Sequence, residues 1–466
     1  YVSHSIKMSS RYLSLRPDNI SPDATISFKQ GFPVLTFTIQ SQAGILDPRS
    51  IRINGEMMVY KDNLANPTPV FTDDPSPKIT MDSRLGVFAL WDQLVIRHNK
   101  SKQICEHIRH YNKYLSSYLG LTSSRQDMIG HLSEACLIQP NPEAMFKNVV
   151  ASSTTAQAEE VPKHFSCHLP SGFMMSGNSI NLLENSFGGF QIELHLSPDS
   201  NCLFTDNGVV GANGDAHYEL KNVSLTCEVF DIPAGELAAA QSQTSGALEF
   251  NTISSLYTSI NTSNAQLQYN LGLRNLQSCF VTFTPSDNIN TLTQNGLATT
   301  YPSNADDTLV EFSRVQWLKG GRKYPVDFDM LSNGVATYPL NTDTAGAGEE
   351  SLFYIADSQL AKQFADAVIP EGMLDRTSLS PLNLSRAYDL VGGLGESEYK
   401  QTPDGGSLFG LGMRYSQFNK GQDFSTEQWG LSLESDLVTD NPQSVFMFFK
   451  AKAVLAWDGA SVQLMS

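Results

Sequence analysis

Phe190-Gln191-Ile192-Glu193-Leu194-His195-Leu196 alternates apolar and polar side chains without a break. A period of two is the pleat of an extended chain, so Phe190, Ile192, Leu194 and Leu196 face one side while Gln191, Glu193 and His195 face the other. This is the pattern of a half-buried strand in an antiparallel sheet. It recurs over 32–40, where Leu35, Phe37 and Ile39 alternate with Val34, Thr36 and Thr38. It recurs again over 51–60, with Ile51, Ile53, Gly55, Met57 and Val59 on one face and Arg52, Asn54 and Glu56 on the other. Near the other end, Val445-Phe446-Met447-Phe448-Phe449 is apolar at every position, which predicts a strand covered on both faces. Many short strands joined by Gly- and Pro-rich connections indicate sandwiches or jelly rolls.

The chain is long enough for two such bodies of roughly 200 residues each. It has 466 residues, 41% of them hydrophobic and 17% charged, with 33 Gly and 22 Pro. That composition supplies sizeable cores and abundant turns, and it excludes a disordered chain or a coiled coil. No stretch approaches the ~20 consecutive apolar residues of a membrane-spanning helix. Residues 1–16 carry Lys7, Arg11 and Arg16 and lack the apolar centre of a signal peptide. The first residue is Tyr1 rather than Met, which reads as a cleaved precursor or a missing start. A formal charge of −17 argues against a protein whose main task is to grip nucleic acid, and it favours solubility through self-repulsion. The locally basic set Arg97, Lys100, Lys102, Arg109 and Lys113 reads as a solvated face. The cysteines, at 105, 136, 167, 202, 227 and 279, never form CxxC pairs, so reduced and mostly buried thiols are expected.

Helical signals are few. Ile104, Ile108, Tyr111, Leu115 and Tyr118 recur at spacings of three and four, which predicts an amphipathic helix over 102–119 with Gly120 as its C-terminal cap. The stripe is expected to cover an open edge or end of the first sandwich. A second helix is expected over 358–369, with Leu360, Phe364 and Val368 on one stripe, Asp357 or Ser358 as cap and Pro370 as stop. The two helices fall at comparable places in two halves. A small-residue bridge over 234–246 follows the strand expected over 218–230, placing the boundary near residue 245. Long polar connections over 61–77, 139–162, 286–307 and 332–350 read as intersubunit straps, projecting towers or substrate lids.

The search for chemistry finds little. There is no Walker A loop and no GxSxG elbow, and Gly392-Gly393-Leu394-Gly395 reads as a turn. No two His residues are separated by a single residue, the arrangement a jelly-roll metal site takes from one strand face. His107 and His110 have helical spacing and read as one side of a solvated helix. His164, Cys167 and His168 form the tightest cluster of metal-ligating types, with no further thiol near them in sequence. Residues 206–215 resemble a calcium loop only loosely and read as a surface turn. Any of the acidic residues could pair as in a β-sandwich glycosidase, but nothing marks a particular pair. No catalytic, cofactor-binding or metal-ligating residue is therefore assigned.

Several segments resemble the double jelly-roll major capsid proteins of Polinton-like viruses and virophages. They are Gly44-Ile45-Leu46-Asp47-Pro48-Arg49-Ser50 leading into the strand at 51–60, the run at 81–97, and the segment at 104–119 with Ile108, Tyr111 and Asn112 in an Ile-x-x-Tyr-Asn motif. The strand at 217–230 follows, then 267–285, the Gly320-Gly321 turn with Tyr324-Pro325 within 317–328, and a closing hairpin over 431–466. Each is a packing or turn pattern without chemistry, and their order carries the likeness along nearly the whole chain.

The resemblance implies an all-β fold of two tandem eight-stranded antiparallel jelly rolls with a few short helices and long loops. An N-terminal arm is expected over 1–20, a first roll over 21–245 and a second over 246–466. It further implies a non-enzymatic virion protein, made in the host cytoplasm or nucleus, that forms pseudo-hexameric homotrimers tiling an icosahedral shell around a double-stranded DNA genome. Partners would be further copies of itself, penton and minor capsid proteins, with no sequence-specific nucleic-acid binding and no cofactor. The basic arm is a candidate for contact with genome or inner membrane, and a solvent-facing tail is the equal alternative. The rival class is a β-sandwich carbohydrate-binding protein or glycosidase, which needs aromatics and paired carboxylates converging in one cleft. The 25 Phe, 16 Tyr and 4 Trp instead fall mostly at strand-core positions.

Overall fold

The computed structural model describes residues 9–29, 31–61, 68–69, 79–82, 85–122, 131–138, 162–205, 216–233, 235–297, 312–325, 330–331, 336–339, 350–353, 358–368, 410–416, 420–435, 442–458 and 461–465. Four antiparallel sheets pair into two sandwiches. In the first half, one sheet runs Ser10–Leu15, Ala216–Phe230, Arg52–Lys61, Lys163–His168. The other runs Val34–Ile39, Phe190–Leu196, Trp91–His98, Ile104–Ile108. Numbered along the chain, these are strands one, eight, three and six against two, seven, four and five, the winding of a jelly roll. Short strands such as Ile45–Leu46 and Ile180–Asn181 extend the first of these sheets.

The second half repeats that winding. Gly246–Ile260, Gln443–Trp457, Leu276–Pro285 and Leu411–Arg414 form one sheet. Asn264–Tyr269, Trp429–Ser435 and Phe312–Lys319 form the other, and Arg322–Lys323 and Met330–Leu331 both pair with Phe312–Lys319 as its interrupted fifth strand. Gly320 and Gly321, at φ +57° and +76°, make the tight turn from the fourth strand to the fifth, where two successive left-handed residues match the strands' twist. The order of elements is therefore duplicated even though no sequence repeat is visible.

The expected alternation is present. Phe190–Leu196 is buried at Phe190, Ile192, Leu194 and Leu196 and half-buried between them, and Leu35, Phe37 and Ile39 are likewise buried. Gln443–Trp457 is buried at each position from Gln443 to Ala451, so both faces are covered, as its apolar run predicted. One face, with Val445, Met447 and Phe449, joins Leu267, Phe283, Val315, Trp317 and Leu431 in the core of the second sandwich. The other face, with Phe446 and Phe448, is continuous with the core of the first half. The turn at Asp47 has a clear local cause. Asp47 Oδ1 accepts from Arg49 N at 3.1 Å, Pro48 opens the 3-10 turn Pro48–Ser50, and Ser50 Oγ donates to Asp47 O at 2.6 Å.

Three expectations are corrected. The helix predicted over 102–119 is a strand, Ile104–Ile108, followed by a helix, Tyr111–Thr122. Lys102 and His110 both have positive φ, 58° and 51°. Lys102 completes a hairpin closed by His98 N–Gln103 O at 2.9 Å, and His110 breaks the chain direction between strand and helix. Gly120 lies inside the helix rather than beyond it. Ser10–Leu15, placed within the expected arm, is the first strand of the first sandwich, in register with Leu225–Phe230 of its eighth. The second helix spans Ser358–Val368, with Phe364 and Val368 buried, while Asp357 and Pro370 lie outside the described residues. The bridge carries a short helix, Leu237–Ser242. No described helix is long and apolar enough to cross a membrane.

Ile108 is fully buried and pairs with Leu94 in the neighbouring strand. An Ile108→Asp variant buries an unpaired carboxylate there and is expected to lose several kcal/mol of stability. Urea unfolding checks this, and a wild-type midpoint would show that the position is not core.

Candidate functional site: the seam between the halves

The residues that a search for chemistry singles out do not converge. Along Lys163–His168 side chains alternate, so Cys167 is buried in the core while His164 is exposed and His168 half-buried on the opposite face. His164 pairs instead with Glu56 at 3.6 Å. His107 lies on a strand, with Nε2 3.1 Å from Gln93 Oε1. His110 packs at the strand–helix corner against Phe446 and Tyr257, at ring distances of 5.1 and 5.8 Å, so neither His lines a solvated helix. Among the described residues no group of three or more His, Cys, Asp or Glu could hold a metal. All six cysteines are free and buried, as expected. Residues 206–215 and 392–395 lie outside the described residues.

What the structure does bring together is a seam. The outer face of the second half's sheet meets the first half along Tyr111–Thr122, and Tyr114 is its centre. Its ring stacks on Tyr118 at 5.6 Å and lies 5.8 Å from Phe448 and 6.1 Å from Phe280. Phe280 stacks on Phe448 at 5.0 Å and meets Phe364 of the second helix at 6.0 Å. One side of the helix, centred on Tyr114, therefore covers a sheet face of the other half, while the helix also packs against Trp91–His98 of its own half. The Tyr-Asn pair of the motif fixes the helix to its own half. Tyr111 Oη donates to Pro170 O at 3.0 Å, and buried Asn112 donates from Nδ2 to Ala89 O at 3.2 Å.

Polar contacts cross the same seam. Lys113, expected on a solvated face, is buried, with Nζ 2.5 Å from Thr284 Oγ1 and 5.1 Å from the Phe446 ring centre. The remaining members of that basic set behave as a surface: Lys100, Lys102 and Arg109 are exposed, and Arg97 pairs with Glu193 at 2.9 Å. Ser255 Oγ donates to Arg109 O at 2.8 Å, Asn178 Nδ2 to Glu249 O at 3.1 Å, and Asn295 Nδ2 to Asp82 Oδ2 at 2.8 Å, the last pair buried. At Gly172 the backbones nearly touch, since a Cβ there would lie 1.7 Å from Asn251 O. Buried Glu106 holds this loop by accepting from Gly172 N at 3.2 Å and Phe173 N at 2.9 Å. Lys450, also buried, donates to the carbonyls of Ala367 and Val368 at the end of the second helix.

Burial sets the proton affinities of these groups. It lowers Lys113 and Lys450 from 10.5 to about 7, and it raises Glu106 from 4.5 to about 7. A cleft of about 710 Å³ opens along the seam, with Arg49, Arg414, Lys450 and Lys452 around it. Of its carboxylates, Glu249 is ion-paired with Lys452. The arrangement is an internal weld with every one of these charges tied to a neighbour. Glu106 has no role in the sequence reading and Lys113 is assigned there to a solvated face; the placement of each within an apolar periodic stretch is the one available signal of burial.

No protein-family model matches the chain, and no curated protein matches it. Solved structures do match in fold. The chain is similar to the quasi-atomic model of the PBCV-1 virus capsid, with a TM-score of 0.55 and 9% identity, over 99% of this chain and 97% of that one. It is similar to a chain of the Sputnik virophage structure, with a TM-score of 0.52 and 10% identity, over 98% and 88%. The Faustovirus major capsid protein gives 0.51 and 10%, over 97% and 90%. The fold is thus the double jelly roll of these capsid proteins, end to end.

Between pH 7 and 10.5 the unfolded chain still holds lysine protons that the folded seam has released, so stability should rise with pH across that window. Between 4.5 and 7 the folded chain keeps the Glu106 proton that the unfolded chain loses, so stability should fall. Lys113→Met keeps the bulk and removes one titration, and it should flatten part of the rise above pH 7. Urea midpoints of both proteins from pH 7 to pH 10 measure this, and identical slopes would exclude Lys113 as a source.

Proposed function

We propose that the chain is a viral major capsid protein, a structural block that works by self-assembly and not by catalysis. The observation that supports this best is the seam: two rolls of one winding are joined side by side through a buried aromatic and polar contact. A shell tile needs two rolls held at a fixed angle, and such a weld supplies it. The fold likeness to capsid structures over nearly the whole chain supports the same reading, alongside the ordered motifs that resemble those of Polinton-like viruses and virophages.

In this reading the division between the rolls falls near residue 245, at the short helix of the bridge. Three copies form a pseudo-hexameric capsomer, and capsomers tile an icosahedral shell around a double-stranded DNA genome with penton and minor capsid proteins at special positions. Closed homo-oligomers of this kind bury on the order of 2,000–5,000 Å² per obligate interface. The protein is made in the host cytoplasm or nucleus and acts in the virion.

Sedimentation equilibrium with negative-stain microscopy tests the central claim. The expected particle has three times the chain mass and a hexagonal outline. A protein that stays monomeric at high concentration would overturn the reading.

A further inference from the structure

The polar part of the seam holds a set of groups whose chemistry goes beyond packing. Lys113 comes from the helix Tyr111–Thr122 and Asp82 from just before the 3-10 turn Gly86–Leu90, both in the first half. Asn295 comes from the second half, beyond the strand Leu276–Pro285. Each of the three is 2% exposed. Asn295 Nδ2 donates to Asp82 Oδ2 at 2.8 Å, and Asn295 Oδ1 accepts from Leu297 N at 3.0 Å. The loop presenting this amide is held close, since a Cβ at Gly296 would lie 2.7 Å from Asn288 O. Lys113 Nζ is bonded to Thr284 Oγ1 beside the Phe446 ring, and Asp82 is the neighbouring charge that acts on it.

A carboxamide resists a lysine in water for two reasons. The amine is protonated, and the leaving nitrogen must gain a proton as it departs. Both obstacles are lowered here. Burial brings Lys113 down to about 7, so much of the amine is neutral at mildly alkaline pH. The backbone N–H of Leu297 donates to the carbonyl oxygen on which negative charge would gather. The Asp82 carboxylate already touches the nitrogen that would leave. Holding amine, amide and carboxylate in one buried set also replaces a bimolecular encounter with an internal one.

We propose that Lys113 and Asn295 join in an isopeptide bond that ties the two halves of the chain covalently. Lys113 Nζ leaves Thr284, turns on its flexible stem towards Asn295 and adds to Cγ. Asp82 takes a proton from the adding amine and delivers it to Nδ2. The Nζ–Cγ bond forms, the Cγ–Nδ2 bond breaks and ammonia departs, with no change of oxidation state. The event happens once, on the chain's own side chains, and is not turnover. The titration of Lys113 described above belongs to the chain before this reaction. The bond lies within one chain, so it stands or falls independently of the trimer reading.

Intact-mass spectrometry of the purified full chain, held at mildly alkaline pH and sampled over several days, tests this without any variant. The expected product is lighter than its sequence by one ammonia. Trypsin should then fail to cut after Lys113, and the digest should contain a branched peptide joining Lys113 to Asn295. Asn295-Gly296 can also lose ammonia by closing a succinimide on the Gly296 nitrogen, a product that leaves Lys113 open to trypsin. Ammonia loss with Lys113 still cleaved, or a wild type that keeps its full mass, would overturn the proposal. Asp82→Asn keeps the bulk and is expected to slow bond formation roughly 100-fold or more, the effect of losing a proton-transfer group. A folded Asp82→Asn protein that forms the bond at the wild-type rate would overturn the route through Asp82.

Discussion

Everything about the shape of this molecule depends on one sheet being buried twice. The strand Gln443–Trp457 sends Val445, Met447 and Phe449 into its own sandwich and Phe446 and Phe448 into the seam. A central strand with two apolar faces cannot be solvated on either, so the second roll is complete only when something apolar lies on its outside. The first half supplies that cover with Tyr114 and its neighbours. The hydrophobic effect that folds each roll thus also fixes the angle between them, and no flexible tether sets the relative placement of the two bodies.

Much of this was legible in the sequence, and the reasons are local. Period-two runs such as 190–196 name their faces because side-chain direction along a strand follows from the backbone alone. The apolar run at 445–449 announced burial on both sides, though not what would do the burying. The segment from 102 to 119 was misread because spacings of three and four fit its apolar residues equally well across a strand, a corner and a helix. What decides it is the left-handed backbone at Lys102 and His110, which a hydrophobic pattern does not record. The first strand, Ser10–Leu15, was hidden for a different reason. It is an edge strand with only Leu13 and Leu15 turned inward, so its pattern is weak and its existence depends on the ladder offered by Ala216–Phe230.

The seam was the least legible part. Its partners lie far apart along the chain: Lys113 with Thr284, Asp82 with Asn295, Glu106 with the loop at Gly172. Nothing in a single sequence links such positions, and a lysine or glutamate inside an apolar stretch reads first as a solvated residue. The resemblance motif, by contrast, proves to be structural. Its Tyr111 and Asn112 bond to backbone carbonyls and hold the helix in place for Tyr114 to reach across.

The polar groups of the seam have a part that the aromatic ones cannot play. Ring contacts are broad and tolerant of small slips, so Phe280, Phe446 and Phe448 would also pack against a helix shifted by a turn. A slip of that kind would pull Lys113 from Thr284 and Asn295 from Asp82, leaving buried polar atoms without partners. Each unmade bond of this sort costs about 1–3 kcal/mol, and more for a charged group. The aromatic contacts therefore supply the attraction, and the polar contacts select one register among those the attraction would accept. On the capsid function proposed above, a tile that meets identical copies would need that selection more than additional stability, because an error in the angle between its two rolls would be repeated at every contact it makes.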